Sequence, residues 1–151
     1  GGVERARLYA TRLDCAIAVI DKRRSKANEV AEMKIVGEVK GKTCIIVDDM
    51  VDTGGTLTKA SDVLLKKGAK RVVAACSHPV LSGNAIERIE ASSLEELIVT
   101  DTIKLSAPGT LKKITTISVS DIFAEAIRRI NSEDSISSRF KSGNLAVISS
   151  G

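Results

Sequence analysis

Aromatic residues make up only 2% of this chain, and tryptophan is absent. Binders of single-stranded nucleic acid need stacking platforms, and Tyr9, Phe123 and Phe140 are too few and too dispersed to build one. No stretch approaches the roughly 20 apolar residues of a membrane span. The opening GGVERARLYA has the pattern of neither a signal peptide nor an obvious transit peptide. These absences predict a soluble, cytoplasmic protein with no nucleic-acid or membrane partner. Cysteine is sparse too: Cys15, Cys44 and Cys76 form no CxxC and no Cys/His cluster at metal-ligand spacing. Each lies in an apolar run and is expected to be a buried thiol. The single histidine, His78, stands just before Pro79, where a structural role is more usual than a catalytic one. The net charge of +4 comes from basic residues interleaved with acids, which suits a small phosphorylated ligand better than a polyanion.

With 151 residues, 43% of them hydrophobic, the chain is long enough for one packed domain and short for two. Short β-branched runs at residues 15–20, 43–47, 71–76, 97–100 and 114–119 read as strands separated by amphipathic helices. Several are apolar at nearly every position, as in strands covered on both faces. The expected fold is therefore α/β, with a largely parallel sheet flanked by helices. One helix is predicted after Gly55, with Leu57, Ala60 and Leu64 on one face and Gly68 placed to stop it. A second begins near Ser82, read as a cap before Ala85, Ile86 and Ile89. A third runs from Ser120, with Ile122, Phe123, Ala126, Ile127 and Ile130 facing inward and Arg128 and Arg129 on a solvated last turn. The end of the chain, 141–151, is rich in Ser and Gly and is expected to be loosely ordered. Gly1 and Gly2 stand directly before a helical pattern, where an independent α/β domain more often starts with a strand, which suggests a boundary cut through a larger protein.

The most informative segment is 44–57, CIIVDDMVDTGGTL. An apolar strand ends in two acids and turns through glycines into a helix. In parallel α/β sheets ligands sit beyond the carboxyl ends of strands, and this edge delivers acids and exposed amides to one spot. Gly54 and Gly55 let a ligand approach the backbone, and the new helix turns its positive dipole end towards an anion, for which phosphate is the natural choice. Thr53 and Thr56 can donate to its oxygens, while Asp48 and Asp49 can accept from sugar hydroxyls or help hold magnesium. Glycines after a strand, taken alone, read as a turn with a helix cap. Three acids, Asp48, Asp49 and Asp52, immediately after a buried strand argue for more, because desolvated carboxylates need partners. The segment is not a Walker A loop, since GxxxxGK is absent.

VDDMVDTGGT resembles the phosphoribosyl-diphosphate loop shared by type I phosphoribosyltransferases and ribose-phosphate pyrophosphokinases. Four more segments resemble the pyrophosphokinases in order and spacing: GGV with RAR at residues 1–7, IDKRR at 20–24 leading to ANEV at 27–30, SHPVLSG at 77–83, and AEAIRR at 124–129. The likeness covers nearly the whole chain to about Phe140 and is greatest to the carboxy-terminal half of that family. It implies a type I phosphoribosyltransferase-like catalytic domain at 1–140, a tail at 141–151, and an amino-terminal domain that is absent.

By resemblance, Asp48, Asp52, Thr53, Gly54, Gly55 and Thr56 bind ribose 5-phosphate, joined by Arg24, and Asp49 is added from the chemistry above. Lys22 and Arg24 fall on the family's catalytic loop. The implied reaction moves the β,γ-diphosphoryl group of ATP, with Mg2+, to the C1 hydroxyl of ribose 5-phosphate, giving phosphoribosyl diphosphate and AMP. Charge builds on the transferred oxygens, so positioned cations have a physical task. Without the neighbouring motifs, residues 22–24 would read as a solvated basic turn; following the strand at 15–20, they project from the same edge as the sugar loop. No metal set is assigned within the chain. The resemblance implies a homo-oligomer, a hexamer in full-length members, and links the segment holding Ser82 and Gly83 to subunit contact and regulation. Lacking most adenine contacts, the isolated chain is expected to bind sugar phosphate better than it catalyses. Two other readings stay open: a type I phosphoribosyltransferase, which explains the 48–56 loop but not 22–30 or 77–83, and a non-catalytic regulatory subunit.

Overall fold

The apolar run Cys44 to Val47 forms the start of an extended strand, and the glycines that follow it turn the chain directly into a helix. The computed structural model describes residues 2–23, 32–105 and 111–137, without the side chains of Lys22, Arg23 and Glu32. Their elements are α1 (Gly2–Leu13), β1 (Val19–Arg23), β2 (Glu32–Val36), β3 (Thr43–Val51), α2 (Gly55–Lys66), β4 (Arg71–Pro79), α3 (Ala85–Glu90), β5 (Glu96–Thr100), β6 (Ile114–Ile117) and α4 (Ser120–Asn131). The chain divides into two compact units, Gly1–Ile117 and Ser118–Gly151.

In the first unit β3, β4, β5 and β6 form a four-stranded, wholly parallel sheet in chain order. The α/β expectation therefore holds. Burial alternates along β4 and β5, and Val72, Leu97 and Val99 are sealed with Ile89 and Leu94 in the core. The stop at Gly68 follows from its backbone: with φ at 92° it occupies the left-handed region, its N–H reaches the Leu65 carbonyl at 2.9 Å, and the Ala69 N–H reaches that of Leu64 at 3.1 Å. This is the paired closure typical of a glycine-terminated helix.

The strand read at 15–20 is placed differently. Helix α1 runs to Leu13, the Cys15 N–H closes on the Ala10 carbonyl, and extended structure begins only at Val19. Cys15 is consequently exposed, against expectation, whereas Cys76 is buried and Cys44 half-buried. Nor does β1 join the parallel sheet: it pairs antiparallel with β2, Lys22 opposite Met33. Glu32 and Lys34 alternate with Met33 and Ile35 there, the period of a half-covered strand that a search for apolar runs passes over. Ile20 and Ile35 pack this pair against the core.

In the second unit α4 has the predicted start, but its apolar side chains do not face a core. Phe123 is 58% exposed and Ile127 67%, and no residue of the helix is buried. The described residues of this unit, 118–137, contain no sheet for that face to cover. The tail at 141–151 and Phe140 lie outside the described residues. No helix among the described residues is long and apolar enough to cross a membrane.

Candidate functional site

Strand β3 does not stop at Val47. Asp48 and Asp49 lie inside it, and pairing with β4 continues through Met50 opposite His78 and Val51 opposite Pro79. Charged side chains are tolerated because β3 is an edge strand of its sheet and both are more than half exposed. Each has a cation: Arg5 of α1 bridges them, with Nη1 3.3 Å from Asp48 Oδ1 and Nη2 3.2 Å from Asp49 Oδ2. The Asp49 carboxyl is held below its ordinary range, first by its side-chain interaction with Asp48, then by the Met50 and Asp49 amides, with Arg5 adding to the effect. Arg5 carried no weight in the sequence reading beyond its place in the RAR segment, because nothing in a helix forty residues upstream announces that it meets these acids.

The loop that follows is shaped by its glycines. Gly54 takes φ 70° and caps α2 with no side-chain hydrogen bond. The first amides of α2 lack intrahelical acceptors, as at every helix start, and the N-cap supplies no side-chain hydrogen bond to them. The Thr58 hydroxyl turns back to the Gly54 and Gly55 carbonyls at 3.1 and 3.3 Å, so it stiffens the first turn rather than facing the opening. Asp52, Thr53 and Thr56 are exposed.

Asp48, Asp52, Thr53, Gly54, Gly55 and Thr56 meet at one cavity of ≈ 300 Å³ above the carboxyl end of β3, with Ile46, Leu57, Ala60, Ala74 and Leu97 among its apolar lining. Asp49 is not among the lining residues. Cys76 is, and burial pushes its thiol up, with the Asp48 and Asp49 carboxylates adding to the shift. It is a neutral wall group rather than a nucleophile.

Among the described residues there is no group of three or more His, Cys, Asp and Glu side chains able to hold a metal ion. The donor set of the site does not by itself make a magnesium centre, and the acid pair already faces Arg5. Of the two residues assigned to catalysis, Lys22 lies on β1 with its side chain outside the described residues, and Arg24 lies outside them altogether, as does the segment 27–30.

Two polar contacts come from a segment read differently. Ser82 does not cap α3, whose N-cap is Asn84; its hydroxyl donates to Asp52 Oδ1. Arg88, on the exposed side of α3, donates from Nη1 to the Thr53 carbonyl. Nothing in local sequence marks Arg88, since its partner is a backbone oxygen. His78 Nδ1 lies 3.0 Å from Thr102 Oγ1, whose hydroxyl reaches the Ser77 carbonyl at 3.0 Å, so the ring belongs to a polar cluster at the ends of β4 and β5.

Residues 24–141 match the phosphoribosyl synthetase-associated domain. This chain belongs to that family. It is 55% identical over 141 residues to a ribose-phosphate pyrophosphokinase of Burkholderia pseudomallei and 56% identical over 141 residues to one of Bordetella parapertussis. Each match covers 93% of this chain, but 44% and 46% of the relatives, so the chain spans a little under half their length. The crystal structure of a phosphoribosylpyrophosphate synthetase from Mycobacterium smegmatis superposes with a TM-score of 0.71 at 36% identity, over 85% of this chain and 42% of that one. The placement of this share in the carboxy-terminal half is not supported by these matches, which fix a family and a proportion of length.

Proposed function

We propose that the cavity at the β3–α2 turn binds ribose 5-phosphate, and that this chain supplies the sugar-phosphate pocket of a ribose-phosphate pyrophosphokinase. The observation that carries the reading is the convergence of Asp52, the hydroxyl-bearing Thr53 and Thr56, and the uncapped start of α2 on one cavity. Phosphate oxygens accept from the amides of residues 54–57 and from the two threonines, and the helix dipole favours the dianion. Asp48 and Asp52 accept from ribose hydroxyls, and Asp49, outside the cavity lining, assists through its pairing to Arg5. Sugar binding at Asp48 then competes with Arg5 for the same carboxylate.

The reaction is transfer of diphosphoryl from ATP to the C1 hydroxyl, releasing AMP. Lys22 and Arg24 are the cations that balance charge on the moving oxygens. ATP brings its own magnesium. A homo-oligomeric, cytoplasmic enzyme is the setting the resemblance implies, and the apolar face of α4 is suited to a subunit contact.

Calorimetric titration of ribose 5-phosphate into the chain, with magnesium present, tests the pocket. Saturable heat is expected, and Asp52→Ala is expected to weaken binding by about tenfold or more, the scale of losing a charge-assisted hydrogen bond. Unchanged affinity in the variant, or no heat from folded wild-type protein, would remove the reading.

A further inference from the structure

Four consecutive residues, Val51 to Gly54, are each held by the segment 81–89. The Leu81 N–H donates to the Val51 carbonyl at 3.1 Å. Ser82 donates to Asp52, and Arg88 to the Thr53 carbonyl. Ile89, fully buried, packs so closely beneath Gly54 that a Cβ there would meet its Cγ1 at 3.3 Å. Arg88 also flanks the next residue, its Nη1 3.7 Å from where a Cβ on Gly55 would stand. Yet none of Ser82, Arg88 and Ile89 lines the cavity. The segment touches the loop and not the space the ligand would fill.

A trans peptide is planar, with its C=O and N–H directed oppositely. Holding the Thr53 carbonyl towards α3 therefore fixes the plane of the Thr53–Gly54 peptide and turns the Gly54 N–H away from α3. Gly54 is also the residue with the widest conformational choice in the loop, because it has no side chain and sits at positive φ. A backbone anion cradle binds well only if its amides already point inward when the ligand arrives. Arg88 restrains the peptide unit next to the residue with that freedom.

We infer that Arg88 is a positioning residue, which preorganises the amides of residues 54–57 for a phosphate monoester through the Thr53 carbonyl. This rests on the sugar-phosphate reading of the loop. The test uses Arg88→Ala and Arg88→Lys in the full chain. Amide hydrogen exchange is followed without ligand, and ribose 5-phosphate and inorganic phosphate are titrated by calorimetry. Expected in Arg88→Ala are faster exchange confined to residues 54–57, unchanged protection in β4 and β5, and about tenfold weaker binding of both ligands. Arg88→Lys, whose ammonium can still donate to the carbonyl, is expected to recover part of each. Weaker binding with unaltered exchange would overturn the inference, because Arg88 would then act by charge on the ligand. So would faster exchange across the whole sheet, which would make the residue merely structural. If wild-type protein bound neither ligand, the sugar-phosphate reading would fall, and the exchange experiment alone would decide whether Arg88 orders the loop.

Discussion

Gly54 shows at single-residue scale what the loop asks of its chain. Its φ of 70° lies where an L side chain is strained, and an added Cβ would press on Ile89 at 3.3 Å. Gly54→Ala is expected to cost about 1–2 kcal/mol in denaturant unfolding, mostly from the left-handed backbone, and to weaken ribose 5-phosphate binding as well. Gly55 carries no positive φ, and its nearest neighbours would stand at 3.7 Å or beyond, so Gly55→Ala is the milder control. The order of strand, glycines and helix was legible; the left-handed backbone of Gly54 was not, since other residue types also begin helices after a strand. Nor were the partners of the acids. Arg5, Ser82 and Arg88 reach the site from α1 and from the β4–α3 segment, and a hydrogen bond to a carbonyl or a distant carboxylate leaves no spacing to read.

Elements were legible in proportion to how fully the core decides them. Strands β4 and β5 and helix α2 stand close to where β-branched runs and the 57, 60, 64 stripe put them, since each has one face against the buried cluster. Strand β2 escaped because its apolar residues alternate with Glu32 and Lys34. In α4 the period was right and the burial wrong, since a stripe of Ile122, Phe123, Ile127 and Ile130 describes a face and not what covers it. The same helix carries a local ion network: Glu125 accepts from Arg128 Nε at 2.9 Å and Arg129 Nε at 2.6 Å. The Arg128 hydrogen bond first, then that of Arg129, pulls the Glu125 carboxyl down to about 2 from 4.5. A depressed folded-state value means that the network's contribution is whole above 4.5 and is lost as pH falls through about 2. Following the Glu125 carboxyl by NMR should give a midpoint near 2, moving up towards 4.5 when Arg128 and Arg129 are both replaced by alanine. A midpoint near 4.5 in the unaltered chain would mean that the pairs do not persist in solution.

At the scale of the molecule, the core found among the described residues belongs to the unit Gly1–Ile117, and the second unit is described mainly by an exposed helix. Leu94 is 0% exposed and Phe123 58%. Leu94→Ala is therefore expected to lower unfolding stability by about 2–5 kcal/mol, whereas Phe123→Ala in the same urea titration should change it by about 0.5 kcal/mol or less. Comparable losses would indicate that Phe123 is covered by a partner in solution. The α/β class followed from the alternation of strand and helix patterns; the separation of β1 and β2 from the parallel sheet did not, because pairing between strands depends on which edges meet.

The order of the sheet bears on how the molecule is made. Thr43 pairs with Arg71, Val73 with Glu96 and Leu97 with Ile114, so each successive ladder closes a shorter loop than the one before. Strands β3 to β6 add along one side as they leave the ribosome, with no crossing back to await a later segment. Every residue lining the cavity falls between Ile46 and Leu97. The proposed anion cradle is thus complete on the emerging chain before β6 exists, and under that proposal a phosphate ligand stabilises a half-made sheet against its unpaired edge.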